Sequence, residues 1–218
     1  MSADQRSKAA FWDARILRWE KARYSRIARA NPFSWTVRAR MSLASRLLKD
    51  ELTDSREILD LGCGSGILAR TLFGDAERRY TGVDFSSTAI SAARKRFERH
   101  ADRIRFEVED ALSPRRAQAD LAVFLGLLDW LSDEEARRLL AQRRETRLLF
   151  SFTETGGFLS SPYGLYRSRV DRTQRARSFR ESYIRELLGR SGYRVETLHR
   201  KMRLGPACLV VAAKENLR

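Results

Sequence analysis

The sequence predicts an α/β domain in which a mostly parallel sheet carries helices on both faces. Short β-type runs alternate with helical ones from Glu57 to Phe152, the pattern of strands joined by helical crossovers. Two late strand-like runs, Tyr193–Leu198 and Ala207–Ala213, are joined through Gly205-Pro206, a connection short enough for an antiparallel pair. The 218 residues, 43% hydrophobic and 10% aromatic, are enough for one packed domain with a small appendage.

Each element has its own signal. Phe11, Ile16, Trp19 and Ile27 recur among charged residues near the helical period, which predicts one amphipathic helix from Phe11 to about Ala30. Asn31-Pro32 breaks it, because proline cannot donate to the helix ladder, and a second helix follows from about Ser34 to Leu52. The core then reads as strand Glu57–Leu61, helix Ile67–Phe73, strand Tyr80–Val83, helix Thr88–His100, strands Ile104–Val108 and Leu121–Leu125, helix Asp133–Arg143 and strand Arg147–Phe152. An irregular stretch containing Gly and Tyr leads to a helix at Phe179–Arg190 and the antiparallel pair. Residues 1–52 therefore form a helical extension, and residues 53–218 the α/β domain.

Composition excludes several classes. The longest apolar run, Leu121–Leu128, is far below the roughly 18–20 residues of a membrane span, and the first residues contain no apolar signal-peptide region; a cytoplasmic protein is expected. Cys63 and Cys208 are the only cysteines, too few for a disulfide framework or an all-cysteine zinc site, and no metal is expected. The net charge of +15 is concentrated: residues 1–50 hold 12 Lys/Arg against 4 Asp/Glu, and residues 161–205 again 12 against 4, with the remainder near neutral. Such flanks attract phosphates, nucleic acid or an anionic membrane surface, or else are solvated helix faces rich in arginine; charge alone does not choose.

The most informative segment is Ile58-Leu59-Asp60-Leu61-Gly62-Cys63-Gly64-Ser65-Gly66, a strand that ends in alternate glycines and runs into a helix. Glycines let the chain turn sharply and approach a ligand closely, and the following helix offers unpaired N–H groups. An acid stands two residues before the first glycine, and Asp84, at the end of the next strand, suits the ribose hydroxyls of an adenosine ligand.

This segment resembles motif I of the class I S-adenosylmethionine (SAM)-dependent methyltransferases, and further elements follow in family order. Tyr80–Ser86 resembles the ribose-binding strand end, Phe106–Ala111 the adenine-binding turn, and Asp120–Leu128 the fourth strand, which passes the methionine end of the cofactor. The likeness covers residues 57–150, and the late antiparallel pair fits the family's seventh strand. The implied fold is a Rossmann-like, seven-stranded, mostly parallel sheet with an antiparallel last strand. An NAD-binding core is the alternative, against which stands the missing sixth-position glycine of G-x-G-x-x-G. The resemblance implies SAM as cofactor: Asp60, Gly62, Cys63, Gly64 and Gly66 at its methionine part, and Asp84 on the ribose. Phe85 would lie against adenine, Asp110 and the Ala111 N–H would read its edge, and a Phe124 or Leu125 carbonyl would take the ammonium.

A sulfonium methyl is already reactive, so the enzyme mainly places a nucleophile in line with it and excludes water. Ligands of open α/β sheets bind outside the carboxyl ends of the strands, which nominates Asp129 and Glu154 as catalytic candidates. Tyr163 and Tyr166, in a substrate-covering segment at about 154–178, and His199 after a late strand complete the set; a helix cap or core packing is the structural reading of each. Trp12, Trp19 and Tyr24 make the 1–52 extension a candidate lid over SAM. The stretch after the fourth strand, Leu125-Gly126-Leu127-Leu128, lacks the N/D-P-P-Y/F signature of many amino-methylating nucleic-acid enzymes. The segments around Phe11–Ser25 and Gly126–Leu131 resemble small bacterial methyltransferases, some linked to surface polysaccharide or lipid pathways. The expected acceptor is therefore a small, anionic molecule, glycan or lipid-linked group, methylated on oxygen, with Arg167, Arg169, Arg172, Arg175 and Arg177 as anion contacts and an anionic membrane surface at the inner membrane as a further partner. RNA or protein is the alternative acceptor, and a SAM-binding protein without transferase activity the third class.

Overall fold

Helices α1 (Ala3–Asp13), α2 (Ile16–Tyr24) and α3 (Pro32–Asp50) lead into a core of β1 (Glu57–Leu61), β2 (Arg79–Asp84), α4 (Ser87–Arg96), β3 (Ile104–Val108), β4 (Leu121–Leu125), α5 (Asp133–Ala141), β5 (Arg147–Thr153), α6 (Glu181–Arg190), β6 (Tyr193–His199) and β7 (Ala207–Lys214). This is a computed structural model, and it describes residues 3–25, 27, 32–72, 74–75, 77–113, 119–155, 177–200 and 207–215. The strands form one sheet in the order β3-β2-β1-β4-β5-β7-β6. Strands β1 to β5 pair in parallel, and β7 runs antiparallel between β5 and β6, as the sequence predicts. The chain builds outward from β1 to β3 and then returns to β4 beside β1, so the strand order reverses between β1 and β4. Their carboxyl ends diverge there and open the crevice in which such sheets bind ligands.

The central strands are buried on both faces, hence their near-continuous apolar sequence. On one face Ile58, Tyr80, Val123, Leu149 and Leu209 pack with Leu47 and Leu48 of α3 and Ile90 of α4. On the other, Leu59, Val83, Phe124, Phe150 and Val210 pack with Leu139 of α5 and Leu187 of α6. Arg78 fixes α3 to the approach of β2: its guanidinium donates to the carbonyls of Leu48 (2.5 Å) and Leu52 (3.0 Å) and pairs with Asp75 at 3.1 Å. Cations at a helix C-terminus satisfy the last carbonyls and complement the dipole. At the opposite kind of end, Ser132 and Glu135 form a reciprocal capping box on α5.

Several boundaries differ from expectation, each for a local reason. The single helix expected over 11–30 is two, α1 and α2, because Asp13 closes α1 on the start of α4. Its carboxylate accepts from Ser86 Oγ (2.7 Å), Thr88 N (2.9 Å) and Thr88 Oγ1 (2.9 Å), and the chain turns at Ala14-Arg15. The Thr88 N–H, then the Ser86 hydroxyl, hold the Asp13 carboxyl below its ordinary range. The helix expected at 67–73 is a 3-10 segment, Leu68–Leu72, since the run between Gly66 and Gly74 is too short for a stable α-helix. Helix α4 ends at Arg96 rather than His100, because Phe97 turns into the core against Phe106, 5.2 Å between centroids. Helix α5 stops at Ala141, two residues early, and the Arg143 guanidinium turns back, donating to the Leu139 carbonyl at 3.1 Å and pairing with Glu145 at 3.5 Å. Phe179 bridges to Glu154 instead of opening a helix, so α6 begins at Glu181. The Gly205-Pro206 connection lies outside the described residues, and among those described no helix is long and apolar enough to cross a membrane.

Candidate active site

A cavity of about 490 Å³ opens at the carboxyl ends of β1, β2 and β4 and is closed on its far side by α1, α2 and α3. The strand side is built on backbone geometry. Gly62, Gly64 and Gly66 all have positive φ (73°, 55° and 73°), a region that residues with a Cβ avoid. The Gly62 and Cys63 N–H groups donate to the Val83 carbonyl at 2.8 and 3.0 Å, folding the loop over the end of β2. Gly66 serves packing: a Cβ there would meet the Phe106 ring at 2.7 Å, so its role is to let the loop lie on Phe106 and Phe97.

Asp84, at the end of β2, faces the cavity and is oriented by two N–H groups, Gly64 to Oδ2 at 3.0 Å and Ser86 to Oδ1 at 2.9 Å. Burial raises its pKa, against the pull of those two hydrogen bonds. Asp60 on β1 is 4% exposed and accepts from the Tyr80 hydroxyl. Burial lifts its pKa to about 7, the Tyr80 hydrogen bond opposes that shift, and the Asp84 charge adds to it. The buried Cys63 thiol on the same wall is pushed well above its ordinary range by desolvation and then by Asp60, Asp84 and Glu20, so it stays protonated and unreactive. Phe85 and Leu125 complete this wall. Phe124 is fully buried and stacks on Phe150 at 4.8 Å, so Leu125 is the residue of that pair that reaches the cavity.

Asp110 and Ala111 lie beside the cavity rather than on its wall. The Asp110 carboxylate accepts from Leu112 N at 2.9 Å, and the Glu109 N–H bonds the Asp84 carbonyl at 3.0 Å, which fastens this turn to the end of β2.

The helical wall is built from side chains. Glu20 of α2 is 8% exposed, accepts from Ser65 N at 2.9 Å and from the Ser65 hydroxyl, and so rests on the glycine loop; a Cβ at Gly64 would come within 2.5 Å of its Oε1. Trp12 meets Trp130, which follows β4, edge to face at 5.0 Å, and meets Trp19 at 6.3 Å. Arg15, Arg18, Arg23 and Arg40 line the same wall. Tyr24 lines it too, its hydroxyl raised above its ordinary pKa by burial while the Arg40 charge pulls the other way.

Of the expected catalytic residues, Asp129 lines the cavity. Its Oδ1 accepts from Thr153 N (2.9 Å) and its Oδ2 from Thr153 Oγ1 (2.8 Å), so it joins the ends of β4 and β5. Glu154 lies outside the lining, paired with Arg200 at 3.5 Å and accepting from Cys208 Sγ at 3.6 Å. His199 ends β6, the outermost strand and three positions from β4; its Nε2 is buried without a partner, away from the lining. Tyr163, Tyr166, Arg167, Arg169, Arg172 and Arg175 lie outside the described residues. Arg177 pairs with Asp133 at 2.9 Å, and its N–H donates to the Asp129 carbonyl. The sequence alone assigns no role to Glu20 or Arg40. A lone acid beside Trp19 in a basic segment was the available sign for Glu20; Arg40 is one of 12 bases there and carried none.

The chemistry of this lining fits SAM: an acid oriented by two N–H groups, a glycine loop that admits close backbone approach, and buried carboxylates that suit a cationic ligand. Residues 58–146 match the family model described as a methyltransferase domain. EEF1A lysine methyltransferase 4 of Bos taurus is 33% identical over 115 residues, 52% of this chain and 44% of that protein. Ribosomal RNA large subunit methyltransferase G of Aeromonas hydrophila is 38% identical over 72 residues, 32% of this chain and 18% of that protein. The chain thus spans less than half the length of these curated relatives. Magnesium protoporphyrin IX methyltransferase from Synechocystis PCC 6803, solved with bound S-adenosylhomocysteine (SAH), superposes with a TM-score of 0.79 at 17% identity, over 97% of this chain and 100% of that one. The glycine loop and the acids at the ends of β1 and β2 fall inside the matched residues, so residues 58–146 carry a methyltransferase domain, within a chain that has the fold of the class I SAM-dependent methyltransferases.

Proposed function

We propose that the protein methylates a small anionic acceptor on oxygen. The observation that carries this reading is the cavity itself: its strand wall bears Asp60 and Asp84, and its helical wall bears Arg15, Arg18, Arg23 and Arg40 between Trp12, Trp19 and Trp130. Bound SAM supplies an electrophilic sulfonium methyl. In this reading Asp84 accepts from the ribose hydroxyls, Phe85 covers adenine, Asp110 and the Ala111 N–H read its edge, and Leu125 offers a carbonyl to the ammonium. Asp60 and the Gly62–Gly66 loop follow the methionine chain.

The opposite wall selects and positions the acceptor. Guanidinium groups hold an anion in several geometries at once, and flanking indoles exclude water. An acceptor oxygen that is already anionic needs no proton removed, which agrees with Asp129 being committed to Thr153. Asp129 then orients the floor of the site, while Glu154, Tyr163, Tyr166 and His199 have no step assigned to them. The 1–52 extension acts as a lid, and 154–178 as a substrate cover. Acceptors on a lipid carrier would bring the protein to an anionic membrane surface. A macromolecular acceptor is the second reading, favoured by the protein and ribosomal RNA named for the curated relatives.

The test is a transfer assay with methyl-labelled SAM on cell extract divided into anionic small molecules, neutral small molecules, lipids, RNA and protein. Label in the anionic small-molecule or anionic lipid fraction is expected. Label confined to RNA, protein or neutral small molecules contradicts the proposal.

A further inference from the structure

Three carboxylates line the cavity around the glycine loop, and each is hydrogen-bonded by neutral donors. Asp60 accepts from the Tyr80 hydroxyl, Asp84 from the Gly64 and Ser86 N–H groups, and Glu20 from the N–H and hydroxyl of Ser65. Asp60 and Asp84 come from strand ends, whereas Glu20 reaches the loop from α2. Ser65 is oriented from behind. The Arg96 guanidinium donates to its carbonyl at 2.5 Å and to its hydroxyl oxygen at 2.8 Å, which turns the hydroxyl hydrogen toward Glu20. Both Glu20 oxygens therefore accept, the part an ionised carboxylate plays. The buried Cys63 thiol, between Gly62 and Gly64, registers the field at the loop: besides burial, the charges that raise it are Asp60, Asp84 and Glu20, all acids.

Gly64 lies between two of these acids. Its N–H is 3.0 Å from Asp84 Oδ2, and a Cβ on it would stand 2.5 Å from Glu20 Oε1, so Asp84 marks one side of the residue and Glu20 the other. The sulfur of SAM is joined to the ribose through the C5′ methylene. A ribose held by Asp84 therefore brings the sulfur to Gly64, within reach of the Glu20 charge. Transfer moves the methyl to the acceptor while the carbon–sulfur electron pair stays on sulfur, so the cationic sulfonium becomes a neutral thioether. SAM and SAH thus differ at this point by one methyl and one positive charge, and a buried carboxylate acts on charge more strongly than one in water. We infer that Glu20 makes the site select the sulfonium over the thioether, so that SAM is held in preference to the product SAH. This inference rests on Asp84 as the ribose acceptor and adds a discrimination made from α2.

The test is calorimetric binding of SAM and of SAH to the wild-type chain, to Glu20→Gln and to Asp84→Ala. The wild type should bind SAM about five- to thirtyfold more tightly than SAH, the range of one charge pair in a site between water and a dry interior. Glu20→Gln keeps the shape and an acceptor for the Ser65 N–H while removing the charge. It should weaken SAM by about that factor and leave SAH within roughly threefold of wild type. Equal weakening of both ligands, the result of a merely structural tie between α2 and the loop, overturns the inference, as does unchanged SAM binding. Asp84→Ala should weaken both ligands alike; unchanged binding of both there removes the ribose assignment and the inference with it, whereas failure of Glu20→Gln alone leaves that assignment standing. Comparing the two ligands on the wild type needs no variant to fold, and equal affinity or a preference for SAH overturns the inference as well.

Discussion

The two walls of the cavity are made by different means. The strand wall is acidic and set by backbone: three glycines in left-handed conformations and two buried carboxylates at strand ends. The helical wall is cationic and aromatic, and is set by side chains that reach across from α1, α2 and α3. A backbone site tolerates drift in its surroundings, because its donors come with the turn. A side-chain wall depends on how helices dock and can change specificity without disturbing the sheet. One wall suits a constant ligand, the other a selected one.

The largest effect should come from the strand wall. Asp84→Ala removes an acceptor oriented by Gly64 and Ser86 and should weaken SAM binding by about 2–4 kcal/mol, measured by calorimetry on protein shown to be folded. Unchanged affinity would remove the ribose assignment. On the helical wall, Glu20→Ala cuts the tie to Ser65 and should lower the local stability of α2 by about 2 kcal/mol, seen as faster hydrogen exchange over 16–24 with the sheet unchanged.

The same division decided what could be read from the sequence. Glycine spacing and an acid two residues before it are local signals, so the loop, Asp60, Asp84 and the succession of parallel strands from β1 to β5 are legible in the sequence, as is the antiparallel pair from its short connection. Side chains that meet only in three dimensions were not. The tie from Asp13 to Thr88 spans 75 positions and that from Glu20 to Ser65 spans 45, and neither leaves a periodic trace. The split between α1 and α2 is not legible for this reason, since hydrophobic spacing continues across Ala14-Arg15 while the Asp13 contacts turn the chain. Glu154 satisfied the rule that acids at strand ends face the site, yet Arg200 and Cys208 hold it elsewhere.

A smaller effect measures the coupling of the walls. Trp12 and Trp130 come from opposite sides of the cavity, and a double-mutant cycle of Trp12→Ala and Trp130→Ala should show about 1 kcal/mol of interaction in unfolding free energy. Strict additivity would mean that the walls touch without supporting each other. A pH-dependent effect concerns Asp60. Its folded pKa of about 7 lies above the ordinary 3.8, so the native state keeps a proton that the unfolded chain releases. Stability of the ligand-free protein should therefore fall as pH rises from about 4 to 7, and Asp60→Asn should flatten that part of the profile.

The 1–52 extension is proposed to close as a lid over cofactor held at the strand ends, and hydrogen exchange on the full chain with and without SAH tests this most directly. Slowed exchange both at 60–66 with 84–88 and across 11–24 is the predicted result. Protection confined to the strand ends, with 11–24 exchanging equally in both states, would contradict it.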